Sequence, residues 1–280
     1  SALLDANLLF NIGASTSATS LQYGDGDNPR VAVSTPDGTS FANTPEDRMK
    51  SAASLKNHYL TSSRAPGRLG SDYSFAFAGM PRAPGVHRKQ QANAQLVAGV
   101  TNWLTAAMAV AYRVVWVLKD ADGVEIVSAP SGRWIVSNTL TTNGYTGAAR
   151  DPQLRIQVPR QSDTTATAVT TSWIMRLYRS IAVDTTLAQP NDEMQLCYEA
   201  SPTAGEITAS EMVVTDSCPE AALGAYLYTN TVSGGDIQTG FVRSGSTSLG
   251  VLAANDRPPL AKDVAVFANC AWWANFTTLQ

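Results

Sequence analysis

The chain has 280 residues, of which 44 % are hydrophobic and 15 % are charged, and this composition predicts packed cores and excludes a disordered protein. Its formal net charge is -3, and its two histidines and three cysteines are too few for a Cys/His zinc site at a suitable spacing. Cys197, Cys218 and Cys270 form no CxxC pair, so we expect buried free thiols in a protein that folds in a reducing cytoplasm.

The first helical signal begins at Thr44, where a capping hydroxyl is followed by proline and two acidic residues. This pattern predicts a short helix that continues through Met49, Ala52 and Ala53. Alternatively, the same residues lead into a strand at 58–62. Farther upstream, residues 23–28 are as rich in oxygen ligands as a calcium loop, but the later glutamate of an EF-hand is missing, which favours a turn.

Residues 46–89 form a locally basic stretch with eight basic and three acidic side chains. Aromatic residues are not regularly interleaved with the basic ones, which favours a solvated face or an ion-pairing subunit contact over a nucleic-acid site. Two lone strands are predicted within it, at 57–62 and 73–78. The candidate interface residues in this stretch are Arg64, Arg68, Arg82 and Arg88.

The clearest strand signal runs from Ala109 to Lys119, with apolar side chains on both faces, which predicts a central position in a sheet. Residues 120–123 then form a tight turn with glycine at its last position, and 124–128 returns as the second strand of a hairpin. The apolar run 103–118 is too short for a comfortable membrane span and contains Arg113, so no stable membrane insertion is expected.

Further short strands follow at turn-separated intervals. They are predicted at 133–137, 154–158, 172–180, 193–199 and 211–215. Seven short strands within about 110 residues are typical of an immunoglobulin-like or fibronectin-like sandwich.

No lysine or arginine occurs between Arg179 and Arg243, although nine acidic residues do. A surface of one sign repels polyanions such as DNA. From charge alone, these carboxylates are expected to be solvent-facing residues that keep the protein soluble. The candidate residues are Asp184, Asp192, Glu193, Glu206, Glu211, Asp216, Glu220 and Asp236.

Residues 264–276 are strand-like and crowded with bulky side chains, among them Trp272 and Trp273. Such side chains need partners to cover them, so we expect either residues beyond Gln280 or a neighbouring subunit at this end. Both tryptophans are candidate subunit-interface residues. The alternative is an aromatic platform for sugars, in an extracellular glycan-binding or glycan-active protein.

Catalytic signals are weak, and we expect no enzyme activity, no metal and no cofactor. His58 and His87 are the only histidines, and the stretch 245–250 has threonine where the serine of a nucleophile elbow would stand, which favours a Gly/Ser loop. Paired carboxylates for glycoside hydrolysis stay open among the acids of 184–236, but nothing singles out a pair.

Several stretches, taken in order, resemble the tail-tube or nozzle proteins of short-tailed bacteriophages. The matching segments are Tyr112-Arg113-Val114-Val115-Trp116, Asp120 to Gly123, Ala129-Pro130-Ser131-Gly132-Arg133, Leu177-Tyr178-Arg179-Ser180, Leu223-Gly224, Leu227-Tyr228-Thr229-Asn230, Arg257-Pro258-Pro259-Leu260-Ala261-Lys262-Asp263 and Trp272-Trp273-Ala274-Asn275.

This resemblance implies an all-β fold in which an immunoglobulin- or fibronectin-like sandwich is inserted in a β-propeller-like part, incomplete in this chain. The expected domains are 1–100, propeller- or platform-like; 101–220, the sandwich; and 221–280, a return into the propeller-like part.

The family's function implies a structural virion protein, assembled in the host cytoplasm and located in the phage tail. The resemblance implies that copies form a ring, a hexamer in the family, which is part of the DNA ejection channel. It also implies that the acidic residues between 184 and 236 face the lumen and repel the passing DNA, unless they are ordinary solvent-facing residues. The implied partners are other copies, an adaptor and tail fibres, with only transient, non-specific passage of DNA.

Overall fold

The protein is described by a computed structural model covering residues 22–23, 31–32, 50–54, 57–61, 66–69, 75–78, 83, 85–86, 94–119, 123, 125–159, 169–227, 261–268 and 270–276. Its contacts divide the chain into two units. The first unit comprises Ser1–Gly79, Lys119–Val124 and Arg257–Gln280, and the second comprises Met80–Leu118 and Glu125–Asp256.

Within the described residues the protein is mostly β-sheet. The strands in chain order are β1 (Gln22–Tyr23), β2 (Val31–Ala32), β3 (Ser51–Ala53), β4 (His58–Leu60), β5 (Gly67–Leu69), β6 (Phe75–Phe77), β7 (Ala94–Val97), β8 (Met108–Lys119), β9 (Glu125–Val127), β10 (Trp134–Ser137), β11 (Asp151–Gln157), β12 (Trp173–Ser180), β13 (Val183–Asp184), β14 (Met194–Ala200), β15 (Glu211–Thr215), β16 (Ala261–Phe267) and β17 (Cys270–Phe276). A helix, α1, spans Ala204–Ala209, and a 3-10 turn spans Glu220–Ala222.

The second unit contains two antiparallel sheets. One has the order β10-β8-β12-β14, with β9 and β13 also paired to β8, and the other has the order β15-β11-β7. Successive side chains of a strand point to opposite faces of its sheet. One face of each sheet contributes side chains to a shared core. In β8 the inward residues Tyr112 and Trp116 pack with Leu154 of β11 and Met212 of β15. The all-β prediction is therefore confirmed, with two sheets packed face to face.

Strand β8 occupies the central position that its two apolar faces predicted. Val110 and Trp116 belong to the core between the sheets, whereas Val115 and Val117 pack on the opposite face with Met194 of β14. The predicted hairpin is also confirmed, since β9 pairs with β8. Gly123 ends its turn at a φ of 76°, in the left-handed region that favours glycine.

The first unit contains a four-stranded antiparallel sheet of order β3-β4-β5-β6 and the hairpin β16-β17. The predicted lone strands at 57–62 and 73–78 therefore belong to one sheet. The predicted helix is wrong for Ala52 and Ala53, which lie in β3 and pair with Tyr59 and His58. Pairing with β4 satisfies the backbone of β3 better than a short isolated helix would, because a helix nucleus is costly. The residues from Thr44 to Met49 lie outside the described residues.

Two further elements differ from the sequence prediction. The segment 264–276 was predicted as one strand, yet it belongs to two, β16 and β17, whose Phe267 and Cys270 pair across a two-residue turn. Ala268 has a φ of 49° there, as tight hairpin turns require. Helix α1 was not predicted, although Thr203 and Glu206 form a complete capping box at its start.

Candidate functional site

Asp216, a predicted surface carboxylate, is buried at the edge of the second unit's core, with 1 % exposure. Its Oδ2 atom accepts hydrogen bonds from Arg179 Nη1 at 2.7 Å and from the Tyr112 hydroxyl at 2.8 Å. The Arg179 guanidinium also lies 3.7 Å from the centre of the Trp103 ring. The prediction of a surface position is therefore wrong for Asp216, because its charge is compensated inside the fold.

Asp192 is buried as well, so its predicted surface position is also wrong. Its Oδ2 atom accepts a hydrogen bond from Arg113 Nη2 at 3.0 Å, and Arg133 Nη1 lies 3.8 Å from Oδ1. Arg113 is the charged residue in the otherwise apolar run of β8. Pairing with Asp192 offsets the free energy that removing both charges from water costs.

Other members of the acidic group are paired or perform local roles. Glu211 pairs with Arg155 on the neighbouring strand at 2.5 Å, and Glu206 caps α1. Asp184 accepts hydrogen bonds from the hydroxyl and the backbone N–H of Thr186, which hold the pKa of its carboxyl below the ordinary value. Glu193 and Glu220 are exposed. Asp236 lies outside the described residues.

The acidic stretch of the sequence is therefore not a continuous acidic surface. Arginines from distant parts of the chain compensate its described members. They are Arg113 of β8, Arg133 before β10, Arg155 of β11, and Arg176 and Arg179 of β12. Three of the four arginines predicted for a basic interface, Arg64, Arg82 and Arg88, lie outside the described residues. Their role at an interface stays a prediction. Arg68 lies in β5, opposite Tyr59 of β4, and is half-buried.

The two adjacent tryptophans of β17 have different environments. The ring of Trp273 meets the ring of Tyr59 edge-on, with centroids 6.2 Å apart, so this side chain holds the hairpin within the first unit. Trp272 points to the other face and is 60 % exposed. Its indole N–H donates to the Phe267 carbonyl at 3.3 Å, which orients the ring.

Trp272 shares its side of the hairpin with two more exposed aromatic residues. Phe267 is 73 % exposed and Phe276 is 56 % exposed, and Cys270, the partner of Phe267 in the register, is exposed too. We call Phe267, Cys270, Trp272 and Phe276 the aromatic face. The prediction of a buried thiol is wrong for Cys270, because its side chain is exposed on this face. The sequence pattern indicated Trp272 but gave no reason to include Cys270.

Replacing the two tryptophans separately distinguishes their roles. We expect Trp273→Ala to lower the free energy of unfolding by about 2 kcal/mol, because a half-buried aromatic contact is lost. Trp272→Ala should change it by less than about 0.5 kcal/mol, as is typical for exposed positions. Urea denaturation of both variants measures this difference. Equal destabilisation would contradict the assignment of Trp272 to an exposed face.

Reactive side chains in the described residues have environments that suit structure better than catalysis. Burial, and then the charge of Asp216, raise the pKa of the Cys197 thiol, which keeps it in the poorly nucleophilic protonated form. Burial likewise raises the pKa of Tyr112, and its hydroxyl already donates to Asp216.

A search of the described residues finds neither a metal-sized cluster of three His, Cys, Asp or Glu side chains nor a helix with the length and apolarity to cross a membrane. The calcium-like stretch 23–28 falls almost wholly outside those residues.

Among the described residues, the aromatic face is the candidate binding site, because three large aromatic side chains are exposed together there. Comparison of the chain with models of known protein families, with curated proteins and with solved structures finds no match.

Proposed function

We propose that this chain is a non-enzymatic structural protein of a bacteriophage tail, of the nozzle or tail-tube type, and that it works as a ring of copies around the DNA ejection channel. The observation that carries the proposal is the aromatic face, where three large aromatic side chains are more than half exposed. Contiguous exposed apolar surface marks a binding site, and aromatic residues are enriched where subunits meet.

The resemblance supports the same proposal. Two of the matching segments, Tyr112 to Trp116 and Leu177 to Ser180, lie in the paired strands β8 and β12 at the centre of the second unit. We propose that this unit is a fibronectin- or immunoglobulin-like sandwich and that the first unit is propeller-like. Under this proposal the protein belongs to the virion, and its partners are further copies, an adaptor and tail fibres.

The test is the assembly state of the full chain across a concentration series, measured by light scattering or mass photometry. We expect a cyclic oligomer whose dissociation constant rises at least about thirtyfold on Trp272→Ala, as for a central interface residue. Tyr198→Ala is the matched control, because Tyr198 is an exposed aromatic residue of β14 outside the aromatic face. A wild-type chain that stays monomeric at all concentrations, from a genome without phage tail genes, would refute the proposal.

A second candidate function rests on the same exposed ring of Trp272. A flat, exposed indole suits stacking against a sugar, as in an extracellular glycan-binding protein. A glycan panel separates the two: saturable binding by a monomeric wild type, lost in Trp272→Ala, would favour this alternative.

A further inference from the structure

One edge of the larger sheet in the second unit is covered by the segment 224–227, which we call the strap. The edge strand is β14, which ends the order β10-β8-β12-β14. The strap lies antiparallel to β14. Leu196 N–H donates to the Ala225 carbonyl at 2.9 Å, and Leu227 N–H donates to the Met194 carbonyl at 2.7 Å. The strap therefore adds a short strand to this edge.

One side chain anchors the strap, and one glycine lets it approach closely. Leu227 is buried in the apolar cluster on the face of the sheet opposite the shared core, together with Val115 of β8 and Met194 of β14. Gly224 N–H donates to the Leu196 carbonyl at 2.8 Å, and a Cβ at Gly224 would lie 3.3 Å from the Leu196 Cβ. The edge is therefore suited to an extended strand with a small residue followed, three positions later, by a leucine.

A hinge, residues 219–223, joins the strap to the rest of the unit. Its described backbone hydrogen bonds are internal, as from the Ala222 N–H to the Pro219 carbonyl at 3.0 Å, and four of its five residues are exposed. The chain is fixed just before the hinge, since Arg179 Nη1 donates to the Cys218 carbonyl at 2.8 Å. The strap can thus leave the edge while the hydrogen bonds that precede the hinge stay in place.

We propose that the β14 edge is a binding site for an extended strand, that the strap occupies it as an autoinhibitory contact, and that its ligand is the same segment of a second copy. An open strand edge presents N–H and C=O groups to which another chain can add. A second copy supplies an identical segment, so the bonds seen within one chain can form between two. A β-bulge at Cys197 ends the site, because it interrupts the regular pairing of β14 with β12. The proposal goes beyond the ring and does not depend on it.

The deciding experiment captures a peptide copy of the strap on the freed edge. Leu227→Asp releases the strap, because a carboxylate without a partner is costly to bury in an apolar cluster. Gln195 and Tyr226 lie directly opposite each other. Gln195→Cys in the full chain is therefore placed to form a disulfide with a peptide of residues 219–227 that carries Tyr226→Cys. Intact mass measures capture in a thiol–disulfide buffer.

We expect the protein with Leu227→Asp and Gln195→Cys to capture at least about tenfold more peptide than Gln195→Cys alone, because apparent affinity falls with the fraction of open sites. A peptide with Ala225→Cys instead is the register control, since its thiol lies on the other face of the strand. Every protein also carries Cys218→Ser and Cys270→Ser, which remove native thiols with access to solvent. Equal capture with and without release would show that the strap blocks nothing, and absence of capture after release would show that the edge binds no strand. Either result would overturn the proposal.

Hydrogen exchange supplies a second measurement with a variant that keeps Leu227. Gly224→Pro removes the N–H that donates to Leu196 and crowds the close approach. We expect the Leu196 amide to exchange at least about tenfold faster in this variant, as for a local opening. The Trp116 amide, at the centre of the sheet, should keep its rate.

Gly224→Pro combined with Gln195→Cys should also capture the peptide, which decides the matter if thermal unfolding shows that Leu227→Asp does not fold. An unchanged rate at Leu196, or an equal increase at Trp116, would show that the strap does not open separately from the sheet. That outcome would contradict its role as a displaceable occupant of the β14 edge.

Discussion

Asp216→Ala is expected to lower the free energy of unfolding by about 3–5 kcal/mol, because it leaves the Arg179 guanidinium buried without its counter-charge. Arg179 and Asp216 have side chains that are 1 % and 0 % exposed, so water cannot replace the lost partner. The Tyr112 hydroxyl loses its acceptor in the same variant. Burial opposes the charge on Arg179, but the charge and hydrogen bond of Asp216, together with the neighbouring Tyr112 and Cys197, outweigh burial and raise the pKa of the guanidinium above the ordinary value. Denaturation followed by tryptophan fluorescence measures the loss.

Two further variants test whether the free energy of unfolding depends on the ion pair itself or only on leaving no buried charge unpaired. Glu220→Ala removes an exposed acid and should change the free energy of unfolding by less than about 0.5 kcal/mol. Arg179→Met combined with Asp216→Leu should recover most of the loss from Asp216→Ala, because apolar side chains of similar volume can replace a buried ion pair. A loss below about 1 kcal/mol in Asp216→Ala would show that the pair is solvated in solution.

Strand alternation made most of the second unit predictable. The predicted and observed strands agree at 211–215 and differ by one residue at 172–180, because side chains alternate between core and solvent there. Strand β7, Ala94–Val97, was not predicted, because its backbone partner β11 is more than 50 residues away in the sequence.

Charge pairing was not predictable from the run of acidic residues alone, because the compensating arginines are distant in sequence. Arg113 and Asp192 are 79 residues apart, and Arg155 and Glu211 are 56 apart. The arginine of the first pair was a usable signal. Arg113 lies within the most apolar strand of the chain, and an arginine there requires a buried acid.

The aromatic face was partly predictable. The sequence makes Trp272 and Trp273 candidate interface residues, but their opposite environments depend on which side of the hairpin packs within the first unit.

Asp151→Ala is expected to lower the free energy of unfolding by about 3 kcal/mol. The carboxylate accepts hydrogen bonds from the Thr101 backbone and hydroxyl, from the Trp103 backbone and from the Ser217 hydroxyl. Buried donors left without acceptors cost about 1–3 kcal/mol each, and partial access to water limits the sum. An added Cβ at Gly99 would overlap this carboxylate, so the loop is closely fitted around it.

The pH dependence gives an independent check on Asp151. Burial by itself would raise the pKa of this carboxyl, but the hydrogen bonds from Ser217, Thr101 and Trp103 outweigh it and lower the pKa below the ordinary value of 3.8. A group with a lowered folded-state pKa stabilises the fold above its unfolded pKa, and this contribution disappears as the pH falls through the folded pKa. We therefore expect the difference in unfolding free energy between wild type and Asp151→Asn to be constant near neutral pH and to shrink below pH 3.8. A difference that grows on acidification would contradict this sign.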